Sequence, residues 1–305
     1  MRSLWLGILA CAAMLVACGD DDSDFISRPD GKESSSSDVI LSSSEGSSPS
    51  SSSSTDKKSS SSETSVSSSS TKSSSSSAKS SSSSVTLAIP CKTETEDNCE
   101  YGELVDDRDG QTYKTVTIGT QTWMAENLNY AYLLPTKALD SSSFCYNDSS
   151  EYCNKYGRLY LWSAVMDSAG TWSTNGKGCG DSKKCSPTYP VRGVCPEGWH
   201  LPTKAEFETL FTAVGGSSMA GKMLKSTSGW NSSGNGTDSY SFSALPAGLR
   251  NYGGDYDYEG YNAKFWSSTE YGSSAYYMYL HNNYDYAGLL NIYKDNGYSV
   301  RCLQD

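Results

Sequence analysis

The sequence has few of the residues from which enzyme and metal sites are usually built. Its 305 residues include only two histidines, His200 and His281, and its ten cysteines form no Cys-x-x-Cys pair. Zinc sites usually combine such cysteine pairs with histidines, so the sequence predicts no metal site of that kind. The serines at Ser267 and Ser268 lack the Gly-x-Ser-x-Gly context of a nucleophile elbow. No catalytic constellation is predicted.

Positive charge is also scarce. The chain has 24 basic and 35 acidic residues and a formal net charge of −11. Residues 85–305 alone contain 17 basic and 25 acidic residues, which gives them a formal charge of −8. Because an acidic domain repels phosphate backbones, the composition argues against a nucleic-acid partner.

Long apolar runs are absent except at the N-terminus. Leu4 to Val16 follows the basic Arg2 and is too short for a stable membrane-spanning helix, so residues 1–17 are predicted to be a signal peptide. The run ends in Leu15-Val16-Ala17-Cys18, which resembles the lipobox of bacterial lipoproteins, where the cysteine is acylated. We therefore expect a lipid anchor at Cys18 and a membrane partner. The alternative is an ordinary signal peptide that contains a cysteine.

Residues 18–85 are predicted to be a disordered tether. Residues 34–84 are nearly all serine and have almost no apolar surface to bury, so the entropy cost of ordering them is not offset. Such a segment acts as a flexible spacer between a membrane and a domain. The acidic run from Asp20 to Asp24 resembles the surface-export signals of some lipoproteins, and the alternative is a solvated spacer. Residues 86–305 remain, enough for one domain with a sizeable core.

The cysteines predict a disulfide-stabilised domain outside the cytoplasm. Removal of Cys11 with the signal peptide and acylation of Cys18 leave eight cysteines, an even number in an oxidising compartment. Eight cysteines allow about 105 pairings, and sequence proximity is the only guide to the choice. Proximity favours three local pairs and leaves one long-range pair: Cys91–Cys99, Cys145–Cys153, Cys179–Cys185 and Cys195–Cys302.

The pattern of helices and strands predicts an α+β domain. Thr203 and Glu206 have the spacing of a capping box, and the apolar stripe that follows predicts a helix ending at Gly215-Gly216. The run from Tyr156 to Met166 predicts an earlier helix. Asp109-Gly110 and Asp295-Asn296-Gly297 predict hairpin turns, and the last third of the chain has the alternation of β-strands. Two helices between an N-terminal hairpin and a C-terminal set of strands indicate the α+β class.

Five motifs in a fixed order closely resemble the Fibrobacter succinogenes major paralogous domain (FISUMP). The resemblance covers roughly residues 100–305, and the lipobox and serine tether also suit the surface members of that family. It implies a surface lipoprotein and names no reaction. The motifs are Ile118-Gly-x-Gln-x-Trp-Met-Ala-Glu-Asn-Leu-Asn-Tyr130, Tyr156-Gly-Arg-Leu-Tyr160, Cys195-Pro-x-Gly-Trp-His-Leu-Pro-Thr203, Phe265-Trp-Ser-Ser-Thr269 and Gly297-Tyr-Ser-Val-Arg-Cys302.

A more distant resemblance concerns the fold. Leu201 to Glu208 is similar to a helix start of the formylglycine-generating (sulfatase-modifying) family, and Ser299 to Cys302 is similar to its closing strand. The resemblance implies a C-type-lectin-like fold, with two helices, a mostly antiparallel sheet, long disulfide-tied loops, and a strand near 112–118 beside one near 298–303. The matching redox-active cysteine pair and the calcium motifs of classical lectins are absent, so fold likeness alone implies neither activity.

The loop from Asn251 to Tyr261 is the best candidate for a binding site. Tyrosine rings can stack on a sugar while carboxylates accept from its hydroxyls, although the same composition suits a plain surface loop. Asp255, Asp257 and Glu259 also mimic the first positions of a calcium loop, but Trp266 stands where a bidentate glutamate is required. Calcium is therefore the one cofactor considered. The candidate residues are Tyr252, Asp255, Tyr256, Asp257, Tyr258 and Tyr261.

Other conspicuous residues are expected to be structural. Trp123, Trp162, Trp199 and Trp266 lie in apolar motifs and are predicted to be in the core. His200 is expected to form structural hydrogen bonds. Arg250 and Arg301 are expected to pair with buried carboxylates.

Three hypotheses about function follow. The first is a surface-anchored, non-catalytic binding or adhesion domain, possibly for polysaccharide, located at the outer membrane or cell surface. The second is a structural or protein-interaction component of the cell envelope. The third is an enzyme derived from a formylglycine-type ancestor, which requires a reactive free cysteine.

Overall fold

The computed structural model describes residues 87–133 and 142–305, and the predicted signal peptide, Cys18 and tether lie outside the described residues. The described part is α+β, with few helices and mostly antiparallel sheets. Its strands are β1 (Tyr101–Asp106), β2 (Gln111–Ile118), β3 (Gln121–Met124), β4 (Ser143–Phe144), β5 (Leu159–Leu161), β6 (Trp199–His200), β7 (Leu249–Arg250), β8 (Tyr256–Asp257), β9 (Asn262–Tyr271), β10 (Ser274–His281), β11 (Gly288–Tyr293), β12 (Gly297–Tyr298) and β13 (Leu303–Gln304). Its helices are α1 (Ser150–Tyr156), α2 (Trp162–Val165), α3 (Lys204–Ala213) and α4 (Ser217–Leu224).

The strands form three antiparallel sheets. Their orders are β1-β2-β3-β13-β6, β4-β5-β12-β7-β8 and β11-β10-β9. The turn at Asp109-Gly110 joins β1 to β2 as predicted, with Asp106 opposite Gln111. The expected pairing of β2 beside the last strand is wrong, because β3 lies between them and Leu303 pairs with Trp123.

Two apolar clusters fill the spaces between these sheets and the helices. Adjacent residues of β9 belong to different clusters: Phe265 packs in one and Trp266 in the other. Successive strand residues point to opposite faces, so β9 separates the two clusters. The four tryptophans predicted to be in the core are all buried there: Trp123, Trp162, Trp199 and Trp266.

Helix α3 begins and ends where the sequence predicts. The Oγ1 atom of Thr203 accepts from the backbone N–H of Glu206 at 3.2 Å, and the Glu206 carboxylate accepts from the Thr203 N–H at 2.7 Å. Gly216, with φ of +97°, closes the helix by donating its N–H to Phe211. The buried face of the helix stacks Phe207 on Trp123 with ring centroids 5.5 Å apart. Local signals thus suffice to define this element.

The helix predicted for Tyr156 to Met166 is wrong. Helix α1 ends at Tyr156, and Gly157 takes a φ of +71° where an added Cβ would overlap Asn127. The chain then forms β5, in which Leu161 and Tyr160 pair with β12. Only the single turn of α2 remains helical. Because nearly every residue of this run is buried, its apolar side chains mark no single helical face.

The hairpin predicted at Asp295-Asn296-Gly297 is also wrong. The turn connects β11, which pairs with β10, to β12, which pairs with β5 and β7. The chain therefore changes sheet at this point. The turn residues predict a reversal correctly, but they carry no information about which partner each strand takes.

Four disulfides tie the loops to this framework. Their pairs are the ones that sequence proximity predicts: Cys91–Cys99, Cys145–Cys153, Cys179–Cys185 and Cys195–Cys302. The last pair spans 107 residues and joins the segment before α3 to the C-terminal segment. In the chain-entropy account a bridge of that span stabilises the fold by about 4–5 kcal/mol.

The two arginines expected to pair with carboxylates have other partners. Arg250 lies over the ring of Phe144, 4.0 Å from its centroid. Arg301 is fully buried, and its guanidinium donates to backbone carbonyls and one side-chain amide. Burial lowers the pKa of Arg301 to about 9. Among residues 87–133 and 142–305 neither arginine pairs with a carboxylate, so the expectation of buried carboxylate partners is wrong within the described part of the chain.

The hydrogen bonds of Arg301 join three separate segments. Its Nε donates to the Oδ1 of Asn127 at 2.7 Å and an Nη1 proton goes to the carbonyl of Met124 at 3.2 Å. The other side of the guanidinium donates to the carbonyls of Phe242 and Ser243. Phe242 and Ser243 lie outside the strands and Met124 is the last residue of β3, so the arginine supplies donors where the strand pairing ends.

We expect replacement of Arg301 by methionine to destabilise the domain by about 3–5 kcal/mol, because the carbonyls it binds lose their donors without access to water. Arg301→Lys should lose less stability, since an ammonium keeps up to three hydrogen-bond donors. Chemical denaturation followed by tryptophan fluorescence measures both.

The matched control is Arg192→Met. Arg192 is half-buried and also donates to two carbonyls, those of Cys195 and Trp172. Water can replace it there, so a loss of about 1 kcal/mol or less is expected. Equal losses for the Arg192 and Arg301 variants would contradict the role given to burial.

His200 forms the structural hydrogen bonds that the sequence predicts. Its Nδ1 lies 2.7 Å from Asp305 and its Nε2 lies 3.1 Å from Glu206, the residue that also caps α3. Burial acts to lower the pKa of His200, but its hydrogen bonds and charge interactions with the two carboxylates raise it above the ordinary value. The histidine thus links the C-terminus to the start of α3.

His200 should make stability depend on pH. Because its folded pKa is raised, its contribution is complete below the unfolded pKa of about 6.5 and is lost as the pH rises through the folded pKa. We expect the free energy of unfolding of the wild-type protein to exceed that of His200→Gln by about 1 kcal/mol at pH 5.5 and by less at pH 8.5. Urea denaturation at both values measures this.

His281 provides the control with the opposite trend. Burial and the charge of Lys225 lower its pKa, so His281→Gln should gain stability over the wild type only at acidic pH. A wild-type advantage over His200→Gln that grows with pH would refute the assignment.

Candidate functional site

The structure separates the residues of the predicted binding loop. Tyr252 and Asp255 lie at the tip of the hairpin between β7 and β8, where Tyr252 is 78% exposed. Tyr256 forms part of β8. Tyr258 and Tyr261 lie in the turn that leads into β9, and both are exposed. The predicted set is therefore spread over a tip, a strand and a turn.

Several of its polar groups bind the domain itself. The hydroxyl of Tyr256 donates to Asp148, and the Nδ2 of Asn251 donates to Asp257 at 3.0 Å. The carboxylate of Glu259 accepts from the hydroxyl of Tyr156. Across the described residues no three His, Cys, Asp or Glu side chains gather in a metal-binding arrangement.

A row of aromatic side chains follows the end of β10. Tyr279 and His281 lie two residues apart on one face of that strand, with ring centroids 6.0 Å apart. The row continues from His281 to Tyr284 and from Tyr284 to Tyr286, each step 4.9 Å. Burial raises the pKa of Tyr279 to about 12, helped by the phenols of Tyr286, Tyr284 and, from the preceding turn, Tyr258. We call Tyr258, Tyr279, His281, Tyr284 and Tyr286 the aromatic strip.

The strip presents tyrosine to solvent. Tyr258 is 57% exposed, and Tyr284 and Tyr286 are 45% and 43% exposed. Among the described residues the exposed aromatic side chains are tyrosines, and none is a phenylalanine or a tryptophan. A tyrosine offers an apolar ring and a hydroxyl that both donates and accepts, so the strip combines apolar contact with polar recognition.

A buried lysine holds the segment 281–286, which carries three of the five residues of the strip. The ammonium of Lys225 donates to the carbonyls of His281, Asn282 and Tyr284 at 3.0–3.3 Å. On α4, Gly221 approaches the same segment so closely that a Cβ would overlap the carbonyl of Tyr286. The two contacts fix the backbone from which the rings project.

A second lysine lies beneath the strip. Lys264 of β9 faces Tyr279 across the sheet, and its ammonium lies 5.0–5.7 Å from the centroids of Tyr277, Tyr279 and Tyr298. Burial lowers the pKa of Lys264 to about 8, although the nearby Asp257 carboxylate opposes the shift. The rings thus surround a cation that belongs to the domain itself.

Another cleft lies between β2, α1 and the segment 243–245. It encloses about 480 Å³. Its charged groups have partners within the protein: Lys92 pairs with Asp238 at 2.9 Å and Lys155 with Glu259 at 3.3 Å. The cleft therefore offers a ligand fewer unpaired polar groups than the exposed strip does.

The sequence contained a signal for the strip that the loop-based prediction missed. The alternation Tyr277, Tyr279, His281 places three aromatic rings on one face of β10. Which part of that face is open depends on packing, because Tyr277 is buried against Trp266 and Tyr298 while Tyr279 lies at the edge. Only Tyr258 belongs both to the predicted loop and to the strip.

Comparison with known proteins places the chain in a family. A family model described as the Fibrobacter succinogenes major domain matches residues 116–304. The chain belongs to this family. The matched region runs from within β2 to β13 and includes the strip, most of the residues of both apolar clusters and three of the disulfides.

No curated protein and no solved structure matches the chain. Among the described residues no helix has both the length and the apolar character needed to cross a membrane.

We expect Lys264→Met to stabilise the domain by about 1–3 kcal/mol at pH 7, because it removes a cation whose folded pKa is depressed. Between pH 8 and about 10.4 the unfolded lysine holds a proton that the folded one has lost, so wild-type stability rises with pH and the advantage shrinks. Urea denaturation from pH 7 to 10 measures the difference.

The control is Lys177→Met, at an exposed lysine. It should leave the pH dependence of unfolding unchanged. A Lys264→Met variant that is less stable than the wild type at pH 7 would mean that the ring contacts of the ammonium outweigh its burial.

Proposed function

We propose that the domain is a non-catalytic binding module for polysaccharide and that the aromatic strip is its contact surface. The observation that carries the proposal is the row of Tyr279, His281, Tyr284 and Tyr286 at steps of 4.9–6.0 Å, in which Tyr284 and Tyr286 are exposed, together with the exposed Tyr258. Sugar rings have apolar faces and hydroxyl edges, and tyrosine matches both at low entropy cost.

The rigidity of the surface supports the same function. Lys225 and Gly221 fix the segment 281–286, so its rings need little ordering when a ligand binds. All eight cysteines of the described residues are in disulfides, which leaves none of them as the free thiol that a formylglycine-type reaction needs. Both observations favour a binding function over a catalytic one.

The remaining parts of the proposal concern location and ancestry. We propose that Cys18 carries the lipid anchor, that residues 18–85 act as the tether, and that the domain lies outside the cell at the outer membrane or cell surface. A C-type-lectin-like ancestry is also proposed. The position of β13 between β3 and β6, which brings both ends of the domain into one sheet, supports it.

A second function, binding of a protein partner, is supported by β11. Within the part of the chain that the structure describes, this strand is at the edge of its sheet and pairs with β10 alone. Leu290 is 47% exposed and Tyr293 is 63% exposed. An open, apolar edge strand can pair with an extended segment of another protein, which would suit an envelope component.

We expect the double replacement Tyr284→Ala with Tyr286→Ala to weaken polysaccharide binding by about tenfold or more, because it removes the two exposed rings of the row that runs from Tyr279 to Tyr286. The measurement is affinity electrophoresis of the full-length protein in gels that contain soluble β-glucan, xylan or mannan.

The matched control replaces Tyr271 and Tyr293 by alanine. Both are exposed tyrosines of the same sheet, but they lie beside Ser274, at the other end of β10 and roughly 20 Å from His281. Binding should survive in this control. Equal losses in both double variants would place the ligand elsewhere, and no retardation of the unaltered protein would favour the protein-partner function.

A further inference from the structure

A polar pocket adjoins the aromatic strip on the far side of the segment 281–286. It encloses about 460 Å³ and is open to solvent. Lys225 and Gly234 contribute to its wall, and the remaining lining is amide, hydroxyl and carboxylate: Ser232, Ser233, Asn235, Asn282, Asn283 and Asp285. Because Asn282, Asn283 and Asp285 alternate along the chain with rings of the strip, pocket and strip share one backbone segment.

One acceptor in the pocket has no partner. Asn282 is only 4% exposed, and its Nδ2 donates to the carbonyl of Asn231 at 3.2 Å. Its Oδ1 is buried and accepts no hydrogen bond from the described residues. Since nearly all buried polar atoms in folded proteins are hydrogen-bonded, this oxygen is expected to accept from a donor other than the described residues, either water or a ligand. A ligand hydroxyl supplies such a donor.

The cation beside the pocket has no donor left for a ligand. An ammonium has three N–H groups, and those of Lys225 are matched by the carbonyls of His281, Asn282 and Tyr284. The exposed carboxylate of Asp285, also in the lining, accepts hydrogen bonds and repels anions. The pocket therefore offers acceptors to hydroxyl groups and no direct ion pair to a carboxylate.

Two backbone segments of the pocket, 231–235 and the one that contains Asn282, lie in close contact. Ser232 and Ser233 both have φ near +55°, which folds the segment 231–235 tightly. A Cβ at Gly234 would overlap the backbone of Asn282, so only glycine lets the two segments meet. This contact orients the Asn282 side chain independently of any ligand.

We propose that this pocket is a subsite that recognises hydroxyl groups. It binds the free hydroxyls of one neutral sugar unit, while the adjacent sugar units of the same chain stack on the strip. The inference rests on the proposed polysaccharide function and adds its selectivity. The subsite favours neutral, unsubstituted glycans and disfavours O-alkylated or uronate-bearing ones. Replacement of a hydroxyl by a methoxy group leaves the Asn282 oxygen unpaired, which is the kind of mismatch that binding sites reject most strongly.

The test compares soluble β-glucan, xylan and mannan with their O-methylated and carboxymethylated derivatives, using the full-length protein and affinity electrophoresis. We expect methylation and carboxymethylation each to weaken binding by about tenfold or more. In Asn282→Ala the preference for native over methylated glycan should fall to about twofold or less. Asp285→Asn, at an exposed position, should weaken only the discrimination against the carboxymethylated glycan.

The outcomes separate the subsite from the strip. Equal binding of native and methylated glycans, together with loss of both in the Tyr284 and Tyr286 double variant, would overturn the subsite and leave the strip intact. Discrimination that persists unchanged in both pocket variants would also overturn it. Absence of binding to all native glycans by the unaltered protein would overturn strip and subsite together. Circular dichroism confirms that each variant is folded.

Discussion

The fold depends on the burial of one guanidinium among backbone carbonyls. Arg301 has no carboxylate partner among the described residues, yet it joins the end of β3, the segment 242–243 and the C-terminal segment. The segment 242–243 lies outside the strands, so the carbonyls of Phe242 and Ser243 have no neighbouring strand to accept from. An arginine meets this need because its donors point in several fixed directions. The next residue, Cys302, forms the long disulfide, so a covalent and a polar cross-link meet at one point.

Two buried lysines act in the same way elsewhere. Lys294 donates to the carbonyl of Lys183 and pairs with Glu270, whose carboxylate also accepts from the Cys185 N–H. Lys225 donates to three carbonyls of the segment 281–286. In each case a cation organises an irregular segment that regular secondary structure does not reach. The domain has few and short helices, so these internal cations, together with the disulfides, define the shape of its loops.

The parts of the fold that were predictable depend on contacts close in sequence. The capping box of Thr203, the turn at Asp109-Gly110 and three short-range disulfides all join residues a few positions apart. The errors concern choices between distant partners: β5 in place of a helix, β3 between β2 and the last strand, and carbonyls in place of carboxylates around Arg301. For the site, composition correctly indicated exposed tyrosines, but the strip required knowledge of which face of β10 remains open.

The internal cations also support the proposed binding surface, part of which lies outside regular secondary structure. The rings of Tyr284 and Tyr286 lie in a segment that would lose much conformational entropy on binding if it moved freely. Lys225 restricts the segment through its hydrogen bonds, and the close approaches of Gly221 and Gly234 restrict it further. The cost of ordering is met during folding, before any ligand arrives. The same ammonium uses its three donors in the process, so the buried charge that shapes the segment is unavailable as an ion-pair partner. The proposed selectivity for neutral ligands follows from the way this loop is held.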